Sequence, residues 1–129
     1  MPNMKTELET DLKQPHPKFR VSIDHGIAIG PGKADVLEWI ATTGSLAAAG
    51  REMGMSYQHV WTLVKAMNEH FVEPLVEKKR GGAARGGASL TPTGHKVLDL
   101  YRAAQSDAAD AIGKYLPMFE QLLNDKVSR

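Results

Sequence analysis

Cysteine is absent from this chain of 129 residues, which excludes several kinds of site. Without thiols there is no disulfide framework, no thiol nucleophile and no thiolate metal site. No apolar run approaches the length that crosses a membrane, and the polar start MPNMKTELET is unlike a signal peptide. The sequence therefore predicts a cytoplasmic protein without a membrane partner.

Motifs for catalysis and for metal binding are missing as well. The sequence contains no phosphate loop, no nucleophile elbow and no paired-carboxylate motif. The histidines lack the spacing of zinc ligands; they are His16, His25, His59, His70 and His95. We therefore expect no catalytic residue, no cofactor and no metal site, and the protein is not expected to be an enzyme.

The formal net charge is only +1, but the basic residues are concentrated in one short segment. Residues 75–96 contain one acidic residue, Glu77, and a cluster of basic ones: Lys78, Lys79, Arg80, Arg85 and Lys96. Charged loops are usually just solvated, but a glycine-rich loop with this charge is less common.

Residues 45–68, SLAAAGREMGMSYQHVWTLVKAMN, have the pattern of a helix-turn-helix. Ser45 can cap the first helix, and Ser56 can cap the second, because a serine hydroxyl accepts an unpaired backbone N–H. Gly54 stands where the first helix must stop, and glycine adopts a left-handed backbone at little cost. The small residues 47–50 allow the two helices to cross closely.

Residues 18–29 alternate between apolar and polar side chains, as a strand does. Residues 24–26, Asp-His-Gly, are compatible with a hairpin turn or with a bulge at Gly26, and the pattern does not decide between them. A helix over 31–43 follows, with Pro31 in its first turn and Gly44 at its end. Its apolar face is expected to comprise Ala34, Val36, Leu37, Ile40 and Ala41, with Trp39 to one side.

The basic segment is predicted to form a β-hairpin behind the second motif helix. The pattern predicts two strands, PLVEKKR and ASLTPTG, joined by a flexible tip, GGAARGG. We call this hairpin, residues 74–90, the wing. Its backbone can approach phosphates closely because it has little side-chain bulk, and Arg80 and Arg85 supply positive charge.

A long helix is predicted to begin after the wing, with Thr91 as its cap. Its apolar residues recur in steps of three and four, which is a heptad seam. The seam could equally pack onto the same chain, but the helix is long for the small domain that it follows, and this length favours a partner helix. Pro117 should kink or break this helix near 113–116. The seam, which we expect to form a dimer interface, consists of Val97, Tyr101, Ala104, Ala108, Ala111, Tyr115, Met118 and Leu122.

These elements predict a mainly α fold with a small β component, a winged helix-turn-helix with a long C-terminal dimerisation helix. Residues 1–17 are expected to be a polar N-terminal tail. Residues 18–91 are expected to form the DNA-binding domain, and residues 92–129 the helical dimerisation segment.

The chain resembles the N-terminal winged-helix domain of the ModE-type molybdate-responsive transcription regulators and, more distantly, the LysR-type regulators. The resemblance is carried by SYQHVW (56–61), KAMNE (65–69), PLVE (74–77) and the glycine-rich region 81–101. It implies DNA binding and dimerisation. Regulators of the ModE type continue into a molybdate-binding domain, for which this sequence has no length left, so molybdate binding is not expected from this chain alone.

A recognition helix presents its N-terminal side chains to the major groove, on the face away from the core. The stripe Val60, Val64, Met67 and Phe71 is predicted to be buried, with Leu63 beside it and Trp61 half-buried. Gln58 can then read adenine. The expected DNA-binding residues are Ser56, Tyr57, Gln58, His59, Thr62, Lys65, Lys79, Arg80 and Arg85.

The leading hypothesis is a sequence-specific, double-stranded-DNA-binding transcription regulator that acts as a homodimer. The alternative is a winged-helix adaptor that binds another protein, since one fold can host either role. An adaptor would be expected to expose an apolar patch where the regulator exposes polar residues.

Overall fold

The computed structural model describes residues 21–22, 28–79 and 87–125. Five helices and two small antiparallel sheets follow one another in these parts of the chain. The elements are β1 (Val21–Ser22), β2 (Ala28–Ile29), α1 (Pro31–Thr43), α2 (Leu46–Met53), α3 (Tyr57–His70), β3 (Val76–Lys78), β4 (Ala88–Leu90), α4 (Pro92–Gly113) and α5 (Leu116–Glu120). The predicted mainly helical winged fold with a long C-terminal helix is confirmed.

The first two strands pair antiparallel, with Val21 opposite Ile29 and Ser22 opposite Ala28. Of the two alternatives that the sequence left open, the pairing is that of a hairpin. Residues 24–26, for which the sequence left a hairpin turn or a bulge open, lie outside the described residues, as do residues 1–17.

Helix α1 has the predicted bounds because both of its ends are fixed by local chemistry. Pro31 occupies the first turn, and Gly44 ends the helix in a left-handed conformation (φ +71°), with its N–H donating to the carbonyl of Ile40 at 2.8 Å. Two side chains differ from the prediction: Trp39 is buried, and Ala41 is exposed. Trp39 is buried because α1 is surrounded by α2, α3, α4 and β4, so its buried surface is wider than one amphipathic stripe.

The caps of the helix-turn-helix are those predicted. The hydroxyl of Ser45 accepts the N–H of Ala48 at 3.1 Å, and that of Ser56 accepts the N–H of His59 at 3.1 Å. Gly54 ends α2 in the left-handed region (φ +68°). These three local features place α3 directly after a tight corner.

The wing is an antiparallel hairpin whose strands pair Val76 with Leu90 and Lys78 with Ala88. Its second strand also reaches the corner between α1 and α2, because the N–H of Ala88 donates to the carbonyl of Gly44 at 2.9 Å. The wing is thereby anchored to the helix-turn-helix on both edges. Residues 80–86, which include Arg80, Arg85 and all of the predicted tip except Gly87, lie outside the described residues.

Helix α4 begins and ends as the sequence predicts. Thr91 caps it by accepting the N–H of Gly94 at 3.0 Å, and the same hydroxyl donates to the carbonyl of Pro74 at 2.6 Å. The helix stops at Gly113, and a short turn leads to α5, in which Pro117 occupies the first turn. The predicted break before Pro117 is confirmed.

The predicted seam is divided between two environments. Tyr101 is only 2% exposed and belongs to the domain's own core, with Val97 packed beside it, whereas Leu122 is 85% exposed. Tyr101 was expected in a dimer interface, and its burial in the monomer corrects that expectation. A heptad pattern identifies an apolar face of a helix, but it does not say whether a partner or the same chain covers that face.

Candidate nucleic-acid interface

Helix α3 has one buried face and one exposed polar face. Val60, Val64 and Met67 are fully or almost fully buried, as predicted, whereas Phe71 and Leu63 are partly buried. Gln58, Thr62 and Lys65 lie on the opposite side. All the predicted residues within this helix are exposed: Tyr57, Gln58, His59, Thr62 and Lys65.

Gln58, Thr62 and Lys65 lie along one line of the exposed face because they are separated by four and three residues. The hydroxyl of Thr62 donates to the carbonyl of Gln58 at 2.9 Å. In this rotamer the Thr62 oxygen remains an acceptor, which suits a base amino group and not a phosphate. Glu69 continues the same line one turn beyond Lys65 and is also exposed. A carboxylate at that end favours contact between DNA and the N-terminal half of α3.

The start of α3 offers a second kind of contact. Ser56 is exposed, and its hydroxyl accepts the N–H of His59, so the N-terminal end of α3 lies at the surface. Helix N-termini attract phosphate because of their first-turn N–H groups and the helix dipole. Tyr57 lies at this end with 44% of its surface exposed.

The base of the wing adds a cation that was absent from the predicted DNA-binding residues. The ammonium group of Lys78 lies over the ring of Trp61, with its nitrogen 4.1 Å from the ring centroid. Trp61 is half-buried, as predicted. Strand alternation offers a signal for this contact, because Lys78 follows the buried Val76 by two residues and therefore shares its face. Lys79, the next residue, is exposed, and its N–H donates to the carbonyl of Gly87 at 2.9 Å.

Asn68 connects the recognition helix to the wing. Its amide nitrogen donates to the carbonyl of Val76 at 3.0 Å, and its amide oxygen accepts the N–H groups of Leu75 (2.8 Å) and Val76 (3.1 Å). The side chain therefore acts like an additional strand segment. The sequence showed Asn68 only as part of the KAMNE motif and did not reveal this role.

The C-terminal part of the predicted seam is exposed on the described chain. Ala104, Ala111, Tyr115, Met118 and Leu122 are exposed, and Ala108 is half-buried. Further apolar side chains accompany them at the surface: Leu100, Leu116, Phe119 and Leu123.

Two other kinds of site are absent from residues 21–22, 28–79 and 87–125. Within these ranges no three histidine or acidic side chains are grouped so that they could hold a metal ion. Within the same ranges no helix combines the length and apolar character needed to cross a membrane.

Comparison with known proteins agrees with this geometry. The model of the bacterial regulatory helix-turn-helix protein family, lysR family, matches residues 33–95, from α1 to the start of α4. The chain is 41% identical over 99 residues to the molybdenum-pterin-binding protein MopB of Rhodobacter capsulatus, covering 77% of this chain and 35% of that protein.

Two further relatives carry the name ModE. The molybdenum transport protein ModE of Azotobacter vinelandii is 30% identical over 97 residues, covering 75% of this chain and 36% of that protein. The DNA-binding transcriptional dual regulator ModE of Escherichia coli K12 is 35% identical over 71 residues, covering 55% of this chain and 27% of that protein. The chain thus spans about a third of the length of these relatives.

Among solved structures, the fold is similar to that of the DNA-binding domain in the crystal structure of the CbnR_DBD–DNA complex. The TM-score is 0.54 at 20% identity, over 67% of this chain and 94% of that one. This likeness concerns the fold. The comparisons therefore show that residues 33–95 are similar to the helix-turn-helix of the lysR family, and that the chain is similar to about a third of the MopB and ModE proteins.

Proposed function

We propose that the protein is a sequence-specific transcription regulator that binds double-stranded DNA as a homodimer in the cytoplasm. The N-terminal half of α3 enters the major groove, where Gln58, His59 and Thr62 meet base edges. Lys65 and the α3 start, Ser56 and Tyr57, meet phosphates.

The observation that carries this proposal is the division of α3 into two faces. Val60, Val64 and Met67 hold the helix against the core, so Gln58 and Thr62 are presented outward on a rigid element. Hydrogen-bonding side chains on a fixed helix are what base reading requires, because direction and distance must both be correct.

The wing supplies the part of the affinity that does not depend on sequence. Lys78 and Lys79 lie at its base, and we assign phosphate contacts to Lys78, Lys79, Arg80 and Arg85. Each neutralised phosphate releases counterions, so the affinity should fall as salt rises.

A dimer follows from the surface of the C-terminal segment. Leu122, Met118 and Tyr115 are large apolar side chains that lie exposed on a single chain, and a second copy of the segment would cover them. We assign DNA binding to residues 18–91 and dimerisation to the helical segment 92–129, whose interface residues are those of the seam beyond Tyr101. A homodimer would bind two half-sites separated by about one helical turn or a multiple of it.

An adaptor that binds proteins through α3 would need an apolar patch on this face. Apart from Tyr57, the exposed side chains of the predicted recognition face are polar or charged. This composition favours DNA over a protein partner at α3.

The experiment is to select bound duplexes from a random pool and to measure affinity for the selected and a scrambled duplex at several salt concentrations. We expect log affinity to fall by about 0.9 per phosphate contact for each log unit of salt. Lys79→Gln should lower that slope by about one on both duplexes. Lys114→Gln, the same change just beyond the end of α4, should leave the slope unaltered. A flat salt profile, or no binding at low salt, would contradict the proposal.

A further inference from the structure

Arg102 joins α4 to α1 through a directional network of hydrogen bonds. Its Nη2 lies 3.0 Å from Oδ1 of Asp35, and its Nε lies 3.1 Å from Oε1 of Glu38. Its Nη1 donates to Oε1 of Gln105 at 3.1 Å. Each of the three guanidinium nitrogens therefore has an acceptor, two of them on α1.

The network lies at the boundary between packed and free parts of α4. Gly94, Leu98, Tyr101 and Gln105 are the buried residues of this helix, and beyond Gln105 every described residue is exposed or half-buried. Arg102 thus makes its directional contacts close to the point where α4 leaves the domain, and its side chain is only 25% exposed.

Apolar contacts alone would leave the direction of α4 less well defined. Burial of Leu98 and Tyr101 is favourable but not directional, so it tolerates small rotations and shifts along the helix axis. Paired hydrogen bonds to carboxylates fix angle as well as distance. Arg102 lies eight residues beyond Gly94, about 12 Å along the helix. A shift of about 1 Å at Arg102 therefore grows to more than about 2 Å at Gly113.

We propose that Arg102 is a positioning residue that sets the direction in which α4 leaves the DNA-binding domain, and thereby the spacing of half-sites that the dimer accepts. This inference rests on the proposed homodimer. Two recognition helices are joined through their α4 helices, so the angle of α4 on each domain fixes the separation and rotation of the two α3 helices. A rigid angle restricts binding to a narrow range of spacings, and a loose angle widens that range.

The test uses duplexes that carry two copies of the selected half-site, with the centre-to-centre distance changed one base pair at a time over one helical turn. A duplex with a single half-site is measured alongside. The discrimination ratio is the dissociation constant two base pairs away from the best spacing divided by that at the best spacing. Arg102→Gln should lower this ratio by about fivefold or more, a usual size for coupling between sites. Its affinity for the single half-site should equal that of the unsubstituted protein, because Arg102 lies outside α3 and the wing.

Lys96→Gln is the matched control because it removes the same charge from an exposed position of α4. Lys96→Gln should leave the discrimination ratio unchanged, even if it changes the affinity for every duplex by the same factor. If the Arg102→Gln variant unfolds at the assay temperature, the Glu38→Gln variant is used instead. This substitution alters one acceptor of Arg102 and leaves the pair with Asp35 in place.

The outcomes separate the inference from the function on which it rests. An unsubstituted protein that shows no preference for any spacing contradicts the homodimer and the inference with it. A clear preference that Arg102→Gln or Glu38→Gln retains undiminished overturns the inference alone. Loss of single-half-site affinity together with an unchanged ratio would likewise overturn it, because Arg102 would then support the domain and not its orientation.

Discussion

Lys78 and Trp61 join the wing to the recognition helix through a cation over an aromatic ring, with the Lys78 nitrogen 4.1 Å from the ring centroid. The contact holds a positive charge beside α3 at a fixed position. It therefore serves two purposes that can be measured separately, attachment of the wing and attraction of phosphate.

Lys78→Gln should affect both. Loss of a partly exposed cation–π contact should lower the free energy of unfolding by about 0.5–1 kcal/mol. Loss of one phosphate contact should lower the salt dependence of DNA binding by about one unit, equally on operator and random duplexes. Urea unfolding and a salt series are the measurements, and Lys78→Arg should restore much of both. Full salt dependence in Lys78→Gln would show that Lys78 serves the fold only.

Gln58 should matter for sequence and little for general affinity. It is exposed in the first turns of α3, where a paired donor and acceptor can meet adenine. Gln58→Ala should cost about 1–3 kcal/mol at the matching base pair of the operator. Random duplexes should bind nearly as before. Equal losses on operator and random duplexes would remove Gln58 from the residues that read bases.

The parts of the fold that the sequence predicted depend on local chemistry. Ser45, Gly54, Ser56 and Thr91 fix helix ends through contacts within a few residues, and the same is true of Pro31. These helix-end contacts can be predicted from the sequence because the interacting groups are close together in the chain.

The contacts that were not predicted join segments distant in the chain. Arg102 meets Asp35 and Glu38 across more than sixty residues, and Asn68 binds a strand from the end of a helix. Periodicity gives no information about such pairs. The wrong prediction for Tyr101 has the same cause. The sequence showed that Tyr101 lies on the apolar face of its helix, but it did not show that the domain's own core covers this face.

Gly94 should be the glycine least tolerant of substitution among those with described contacts. A Cβ at this position would lie 2.1 Å from the carbonyl oxygen of Leu75, a backbone atom that cannot move away by rotating a side chain. Gly94→Ala should therefore lower the free energy of unfolding by about 3 kcal/mol or more. Gly113→Ala is the control, because nothing lies within 4 Å of its added Cβ. It should be neutral or stabilise by up to about 1 kcal/mol. Equal unfolding midpoints in urea would contradict the close contact.

Tyr101 should make stability dependent on pH in the alkaline range. Burial raises the pKa of its phenol above the ordinary value of 10.0; the Arg102 guanidinium opposes this shift and Asp35 adds to it. Because the folded-state pKa is the higher one, the contribution is complete below the ordinary pKa and is lost as pH rises through the folded-state value. As pH rises from the ordinary pKa through the folded-state pKa, the free energy of unfolding should therefore fall less for Tyr101→Phe than for the unsubstituted protein. Parallel profiles for Tyr101→Phe and the unsubstituted protein would contradict the prediction.

The dimer interface is expected beyond the packed half of α4, which determines how it should be disrupted. Tyr115 and Met118 are 48% and 59% exposed on the single chain, so aspartate at both positions places charge in the interface without entering the domain core. Tyr115→Asp with Met118→Asp should give a folded monomer with an unchanged melting transition of the domain. It should bind a single half-site normally and lose the additional affinity for two, because each domain then binds alone.

Tyr101→Asp provides the contrast, since Tyr101 is a core residue of the domain itself. A buried, unpaired carboxylate should unfold the domain, and both helical content and half-site binding should be lost. Light scattering, circular dichroism and half-site affinity together separate the two results. A double variant that stays dimeric at high protein concentration would show that the exposed residues of the C-terminal segment do not form the interface. An unsubstituted protein that is monomeric under the same conditions would show that α4 and α5 function without a second copy.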